Sequence, residues 1–75
     1  MDIHKYEIRI KKHVFDQALK RKINPELIEK ALVSGVIKRE GKNKVKFITE
    51  TVVCVGEIIG NIIKIITIER RWRNK

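Results

Sequence analysis

The sequence feature that most constrains the fold is the apolar stretch at residues 51–71, TVVCVGEIIGNIIKIITIERR. It consists of two runs rich in valine and isoleucine, whose β-branched side chains suit a pleated surface. The Gly60-Asn61 dipeptide between the runs predicts a β-hairpin. Glu57 and Lys64 interrupt the stretch, and a charge inside a bilayer is costly. The stretch is therefore predicted to form the buried centre of a small sheet rather than a membrane span.

Length and cysteine content limit the class of protein. The 75 residues make a single domain, and a chain this short buries roughly 60% of its unfolded surface. The only cysteine, Cys54, lies among valines, where a thiol behaves as a small apolar group. A lone cysteine fits a reducing compartment, and the N-terminal MDIHKYEIRI carries no export signal. We expect a cytoplasmic protein with one domain over residues 1–75 that includes a basic tail at 70–75.

The charge balance is the main compositional indication of a partner. The chain carries 18 lysines and arginines against 9 acidic residues, for a formal net charge of +9. Such an excess favours encounter with polyanions such as nucleic acid. The abundance of Lys, Glu, Arg and Ile is also typical of thermophile proteins, so a merely solvated basic surface is the alternative interpretation.

The first part of the chain predicts one strand and one helix. Loose alternation over residues 3–10 predicts a short, half-exposed strand. Residues 14–22, VFDQALKRK, have helical spacing, which places Phe15, Ala18 and Leu19 on the sheet.

A second helix is predicted over residues 25–34, PELIEKALVS. Asn24 suits the N-cap position and Pro25 the first helical position, where a missing N–H costs nothing. Gly35 is predicted to end the helix in the left-handed conformation. The predicted apolar stripe consists of Leu27, Ile28, Ala31 and Leu32.

Strands follow to the end of the chain. Residues 36–40 and 44–49 predict two strands around a polar turn at 41–43, and residues 49–51 predict a tight turn before the final hairpin. The predicted class is α+β, with the order β-α-α-β-β-β-β and a small antiparallel sheet covered on one face by a helical hairpin.

The helical half resembles a known prokaryotic family. His13-Val14, Arg21, Ile23, the segment ELIEKAL and Gly35 are similar to the pattern of the family termed domain of unknown function 4258, and residues 65–68, IITI, resemble its apolar, Thr-containing final strand. The resemblance covers roughly residues 10–69. Two positions depart from the pattern, because Gln17 stands where the family has its first Arg and Lys22 replaces the Gly before Ile23.

The resemblance implies a fold like that of the RelE-type toxins of toxin–antitoxin systems, which are small basic ribonucleases. Such enzymes need no metal or other cofactor, since positioned acid–base and cationic groups can activate the ribose 2′-OH and stabilise the transition state. The candidate catalytic residues are His13 and Arg21, which match the family pattern, and Lys64, which interrupts the apolar face of the last strand. The resemblance implies RNA and an antitoxin protein as partners.

Each candidate catalytic residue also has a structural interpretation. His13 is placed to act as a general base near the start of a helix, or it helps to cap that helix. Lys64 and Thr67 are predicted on opposite faces of the last strand, so only one of them reaches a shared pocket. Lys64 breaks an apolar face, either for function or to protect a strand edge from aggregation.

Two basic strips predict contact with nucleic acid. Arginines pair bidentately with phosphate, and an exposed indole can stack on an unpaired base or instead fold over the sheet as an apolar lid. The C-terminal strip consists of Arg70, Arg71, Trp72 and Arg73, and the hairpin strip includes Lys42, Lys44 and Lys46. Backbone binding that weakens with salt is expected if both strips lie on one side.

Other chemistries have little support. Ser34 is the only serine and has no nearby His–Asp pair, and two histidines and one cysteine at these spacings predict no metal site. Three hypotheses follow: a metal-independent endoribonuclease, a nucleic-acid-binding module without catalysis, and a protein-interaction domain that dimerises through the sheet edge.

Overall fold

The structure, a computed structural model that describes residues 3–71, contains two helices and five strands in that range. A 3₁₀ turn at Ile3–Lys5 precedes the first strand. The elements are β1 (Glu7–Ile10), α1 (Lys12–Lys20), α2 (Pro25–Ser34), β2 (Val36–Glu40), β3 (Lys44–Ile48), β4 (Val52–Ile59) and β5 (Ile62–Arg70). The α+β class and the predicted element order are confirmed.

The five strands form one sheet in the order β1-β5-β4-β3-β2. Strands β2 to β5 form an antiparallel meander, and β1 pairs in parallel with β5. The sheet is therefore mixed rather than wholly antiparallel, because β1 covers the edge of β5 that the meander leaves unpaired. The two strands of the predicted hairpin, β4 and β5, both lie in the interior of the sheet.

Both helices pack on the same side of the sheet, which we call the covered face. Helix α1 lies against β5, and α2 lies against β4 and β3. The side chains at its centre are fully buried, and no polar side chain is buried among residues 4–71. The fully buried strand residues include Val45, Phe47, Cys54, Ile63 and Ile65.

The two ends of helix α2 agree only in part with the prediction. Asn24 caps α2 as predicted, since its Oδ1 accepts a hydrogen bond of 2.9 Å from the Glu26 N–H. Gly35 follows α2, but its φ of −67° is not left-handed, so that prediction is wrong. Glycine is needed there because a Cβ would lie 2.4 Å from the Ala31 carbonyl oxygen.

Two further corrections concern the first strand and the first helix. The strand begins at Glu7 rather than at residue 3, since His4 belongs to the 3₁₀ turn. On α1 the buried residues are Val14 and Ala18, whereas Leu19 is 49% exposed. The helix starts at Lys12, and its contact with β5 brings Val14 rather than Leu19 under the sheet.

The segment after α1 adopts a conformation that favours glycine. Lys22 has a φ of +62°, in the left-handed region, and the following Ile23 is buried. A residue with a Cβ is strained in this region by about 1–2 kcal/mol. Lys22 is the position at which the family pattern has glycine.

Candidate nucleic-acid interface

The side of the sheet away from the helices, which we call the open face, carries a row of charged residues across all five strands. The register pairs Glu40 with Lys44, Lys44 with Glu57, Glu57 with Lys64, and Lys64 with Arg9. Directly opposite residues on neighbouring strands share a face of the sheet. The row therefore alternates acid and base from β2 until it reaches Lys64 and Arg9, where two cations adjoin.

The cationic end of this row borders an open groove of about 520 Å³. Its charged residues are Arg9, Lys11 and Lys64, and we call it the cationic groove. The rest of its lining is apolar and consists of Ile10, Ile59 and Ile62. No acidic side chain lines it among the described residues, although Arg9 forms an ion pair with the neighbouring Glu7.

The Lys11 and Lys64 side chains both line this groove. The hydrogen bond from Lys64 lowers the pKa of Lys11 below its ordinary value, and charge repulsion and partial loss of hydration lower it further. Within residues 3–71 neither amino group lies within salt-bridge distance of a carboxylate. An anion bound between the two groups would relieve their repulsion.

The same two lysines also line a second groove of about 200 Å³ at the start of α1, which we call the helix-start groove. Its lining includes His13, whose side chain is exposed. Lys11 occupies the N-cap position of α1, and no side chain caps the helix there. The alternative that His13 caps this helix is therefore not observed, and the structure brings His13 and Lys64 together.

A β-bulge determines the orientation of Lys64 relative to Thr67 in β5. The β4–β5 register passes from Gly56 paired with Ile65 to Val55 paired with Thr67, so Ile66 is the extra residue. Because one extra residue reverses the alternation, Lys64 and Thr67 lie on the same open face, and the prediction of opposite faces is wrong. Lys64 also does not protect a sheet edge, since β5 lies between β1 and β4.

Arg21, the third predicted catalytic residue, lies at the other end of α1. Its Nη1 donates a hydrogen bond of 2.9 Å to the backbone carbonyl of Ile68. It lines neither the cationic groove nor the helix-start groove. In this position Arg21 fixes the C-terminal end of α1 to β5.

The predicted hairpin strip is partly balanced by acidic neighbours. Lys44 and Lys46 share the open face, as predicted, and Lys42 lies in the turn between β2 and β3. Lys46 forms an ion pair of 3.2 Å with Glu40, and Lys44 lies between Glu40 and Glu57 in the charged row. At the other end of the row, by contrast, Lys64 lies between Glu57 and a second cation, Arg9.

The described part of the C-terminal strip lies away from the hairpin strip. Arg70 pairs in register with Val52, which is buried on the covered face. The Arg71 Nη1 donates a hydrogen bond of 3.3 Å to the Thr49 carbonyl, in the turn after β3. Arg70 and Arg71 are thus not brought to the side of the sheet that carries the hairpin strip, and Trp72 and Arg73 lie outside the described residues.

Two residues of the cationic groove, Arg9 and Lys11, were not among the sequence candidates. The signal that identifies them is the alternation of Ile8 and Ile10 with Arg9 and Lys11. When Ile8 and Ile10 lie on the covered face, the alternation of side chains along a strand places Arg9 on the open face, where it pairs with Lys64. That partnership depends on the parallel pairing of β1 with β5, which the sequence did not reveal.

The remaining predictions concern metals, membranes and a sheet-edge dimer. Across the described range, no group of three His, Cys, Asp or Glu side chains is placed to hold a metal ion. No helix within residues 3–71 is long and apolar enough to span a bilayer. The dimer stays a prediction; the exposed edge strand β2 carries Lys38, Arg39 and Glu40, and such charges typically discourage edge-to-edge pairing.

Comparisons of the chain with models of protein families, with curated protein sequences and with solved structures yield no significant match.

Proposed function

We propose that this protein is a cytoplasmic, metal-independent endoribonuclease that acts on RNA at the adjoining cationic and helix-start grooves. The observation that carries the proposal is that Lys11, His13 and Lys64 line one groove at the start of α1. Two amino groups without a carboxylate partner suit a phosphodiester, and the adjacent imidazole suits proton transfer.

The three side chains provide the groups that transesterification of RNA requires. In the proposed reaction a neutral His13 nitrogen accepts the proton of a ribose 2′-OH, and the 2′-oxygen attacks the adjacent phosphorus. The bond from phosphorus to the 5′-oxygen breaks, which leaves a 2′,3′-cyclic phosphate and a new 5′-hydroxyl. The Lys64 ammonium group stabilises the added negative charge. The Lys11 ammonium group protonates the leaving oxygen, since its lowered pKa makes it a better proton donor than an ordinary lysine.

The test is incubation of the purified protein with labelled mixed-sequence RNA in EDTA, with the products resolved on a gel. The wild type is expected to produce fragments that end in a cyclic phosphate, and His13→Ala to lose at least about a hundredfold in rate. His4→Ala is the matched control, because His4 lies in the 3₁₀ turn and lines neither groove. Equal rates of cleavage by the wild type and both variants would show that His13 takes no part in the reaction.

A second candidate function is RNA binding without cleavage, and the position of Arg21 favours it. The hydrogen bond to Ile68 holds Arg21 outside both grooves. One of the three predicted catalytic residues therefore does not line the proposed site. Binding that weakens with salt, with the RNA left intact by the wild type, would support this candidate over the enzyme.

A further inference from the structure

The cationic groove combines apolar side chains with three cationic side chains. Ile59 is 53% exposed at the end of β4, and Ile62 faces it across the hairpin. Lys64 follows Ile62 by two residues on β5 and therefore lies on the same face, and Lys11 lines the same groove. This arrangement suits a ligand that has a flat, weakly polar part joined to an anion.

The positions of the two grooves narrow the choice of ligand. Lys11 and Lys64 line both the cationic groove and the helix-start groove, so an anion held between them borders both cavities. A phosphodiester has this form, because it joins two nucleosides. The cationic groove, at about 520 Å³, lies within the roughly 300–1,000 Å³ typical of small-ligand sites.

We propose that the cationic groove binds one unpaired nucleotide of an RNA strand, with its base against Ile59 and Ile62 and its phosphate between Lys11 and Lys64. This inference rests on the proposed action on RNA and adds the substrate class, which is single-stranded rather than duplex RNA. Bases in a duplex are stacked and paired, and their faces cannot reach a side-chain wall. The aliphatic side chains of Ile59 and Ile62 form no hydrogen bonds with the edge of a base, so the site accepts any of the four bases.

The experiment compares two fluorescent oligomers of equal length and phosphate number: 2′-O-methyl oligouridylate and an abasic oligomer of 2′-O-methylribose phosphate. The 2′-O-methyl groups prevent transesterification, so fluorescence anisotropy reports binding alone. The wild type is expected to bind the oligouridylate about fourfold to tenfold more tightly, since shielding one methylene group from water corresponds to about fourfold in affinity. A duplex of 2′-O-methyl RNA should bind no more tightly than the abasic oligomer.

Ile59→Ala is expected to remove most of this preference and to leave the affinity for the abasic oligomer unchanged. Val33→Ala is the matched control, because Val33 is 78% exposed on α2 and lines neither groove. Thermal denaturation of each variant verifies that it is folded.

The outcomes separate this inference from the proposed function. If the wild type binds both oligomers equally and Ile59→Ala changes nothing, the base contact is overturned while the phosphate site stands. If the wild type binds neither oligomer, nor intact RNA, the proposed action on RNA fails and this inference fails with it.

Discussion

The two faces of the sheet are built from the same five strands and differ in chemistry, since the covered face is apolar and the open face mixes charged residues with half-buried ones such as Val53 and Val55. On the covered face, Phe47, Ile63 and Ile65 have no exposed surface, and among residues 4–71 no buried polar group accompanies them. On the open face, the neighbouring positions carry the charged row that ends at Lys64 and Arg9. The covered face holds the fold together, because burial of apolar surface is the main favourable contribution to folding.

This difference teaches where function can reside in a chain of this size. A short chain has a limited core, so the residues of the covered face cannot change without loss of stability. The open face contributes little to folding, since exposed ion pairs are worth about 0–1 kcal/mol. Its charges are thus available for a ligand, and substitutions on the two faces should have separable effects.

The largest expected effect is on the covered face. Phe47→Ala should lower the free energy of unfolding by about 3–5 kcal/mol, because it removes a fully buried ring and leaves a cavity. Lys46→Ala, next to it in sequence but on the open face, should cost no more than about 1 kcal/mol despite the lost ion pair with Glu40. Urea denaturation measures both. Similar losses for the two variants would contradict the division between the faces.

Gly56→Ala should have the next largest effect, a loss of about 1–3 kcal/mol. A Cβ at this position would lie 2.8 Å from the Ile63 Cγ2 and 3.2 Å from the Ile65 Cδ1, so packed side chains must move. Glu57→Ala, one residue on, changes the open face and is the control. If Gly56→Ala were as stable as the wild type, the Ile63 and Ile65 side chains would be packed loosely enough beside Gly56 to accept a methyl group.

Lys64→Met on the open face should leave stability within about 1 kcal/mol of the wild type and weaken RNA binding about tenfold. The variant loses one phosphate contact, so the slope of log affinity against log salt should fall by about one. Lys20→Met removes the same charge from α1, outside both grooves, and should change neither quantity appreciably. Equal effects of the two variants would indicate that net charge alone governs binding.

The covered face should also show a dependence on pH. Burial raises the pKa of the Cys54 thiol to about 11. Below about pH 8 the thiol is protonated in both states, but at higher pH the unfolded chain loses its proton first, which favours unfolding. Relative to Cys54→Val, the wild type should therefore lose about 1 kcal/mol between about pH 8 and about pH 10. Parallel pH profiles for the two proteins would show that the thiol is accessible to water.

The smallest expected effect lies outside both faces. Lys22→Gly should raise the free energy of unfolding by about 0.5–1 kcal/mol, because glycine adopts the left-handed φ of this position without strain. RNA affinity should stay the same, as Lys22 lines neither groove. A change in affinity together with stability would mean that binding follows overall stability rather than the open face.

Local sequence signals predicted much of the fold. The Gly60-Asn61 turn, the Asn24 cap and the alternation in β3 each depend on neighbouring residues, and all three are observed. The bulge at Ile66 was not predicted, because the run of isoleucines around it reads the same in either alternation. Because the prediction did not include this extra residue, it placed Thr67 on the opposite face from Lys64.

The sequence by itself determined which segments are strands and helices, that one face of the sheet is apolar, and that the chain is basic. Periodicity and composition are properties of the sequence alone, so they can be recognised without a structure. Only the tertiary structure decided that β1 lies parallel to β5, which brings Arg9 and Lys11 to Lys64 and leaves Arg21 at the far end of α1. Contacts between residues more than fifty positions apart depend on how the whole sheet assembles, and no local pattern encodes them.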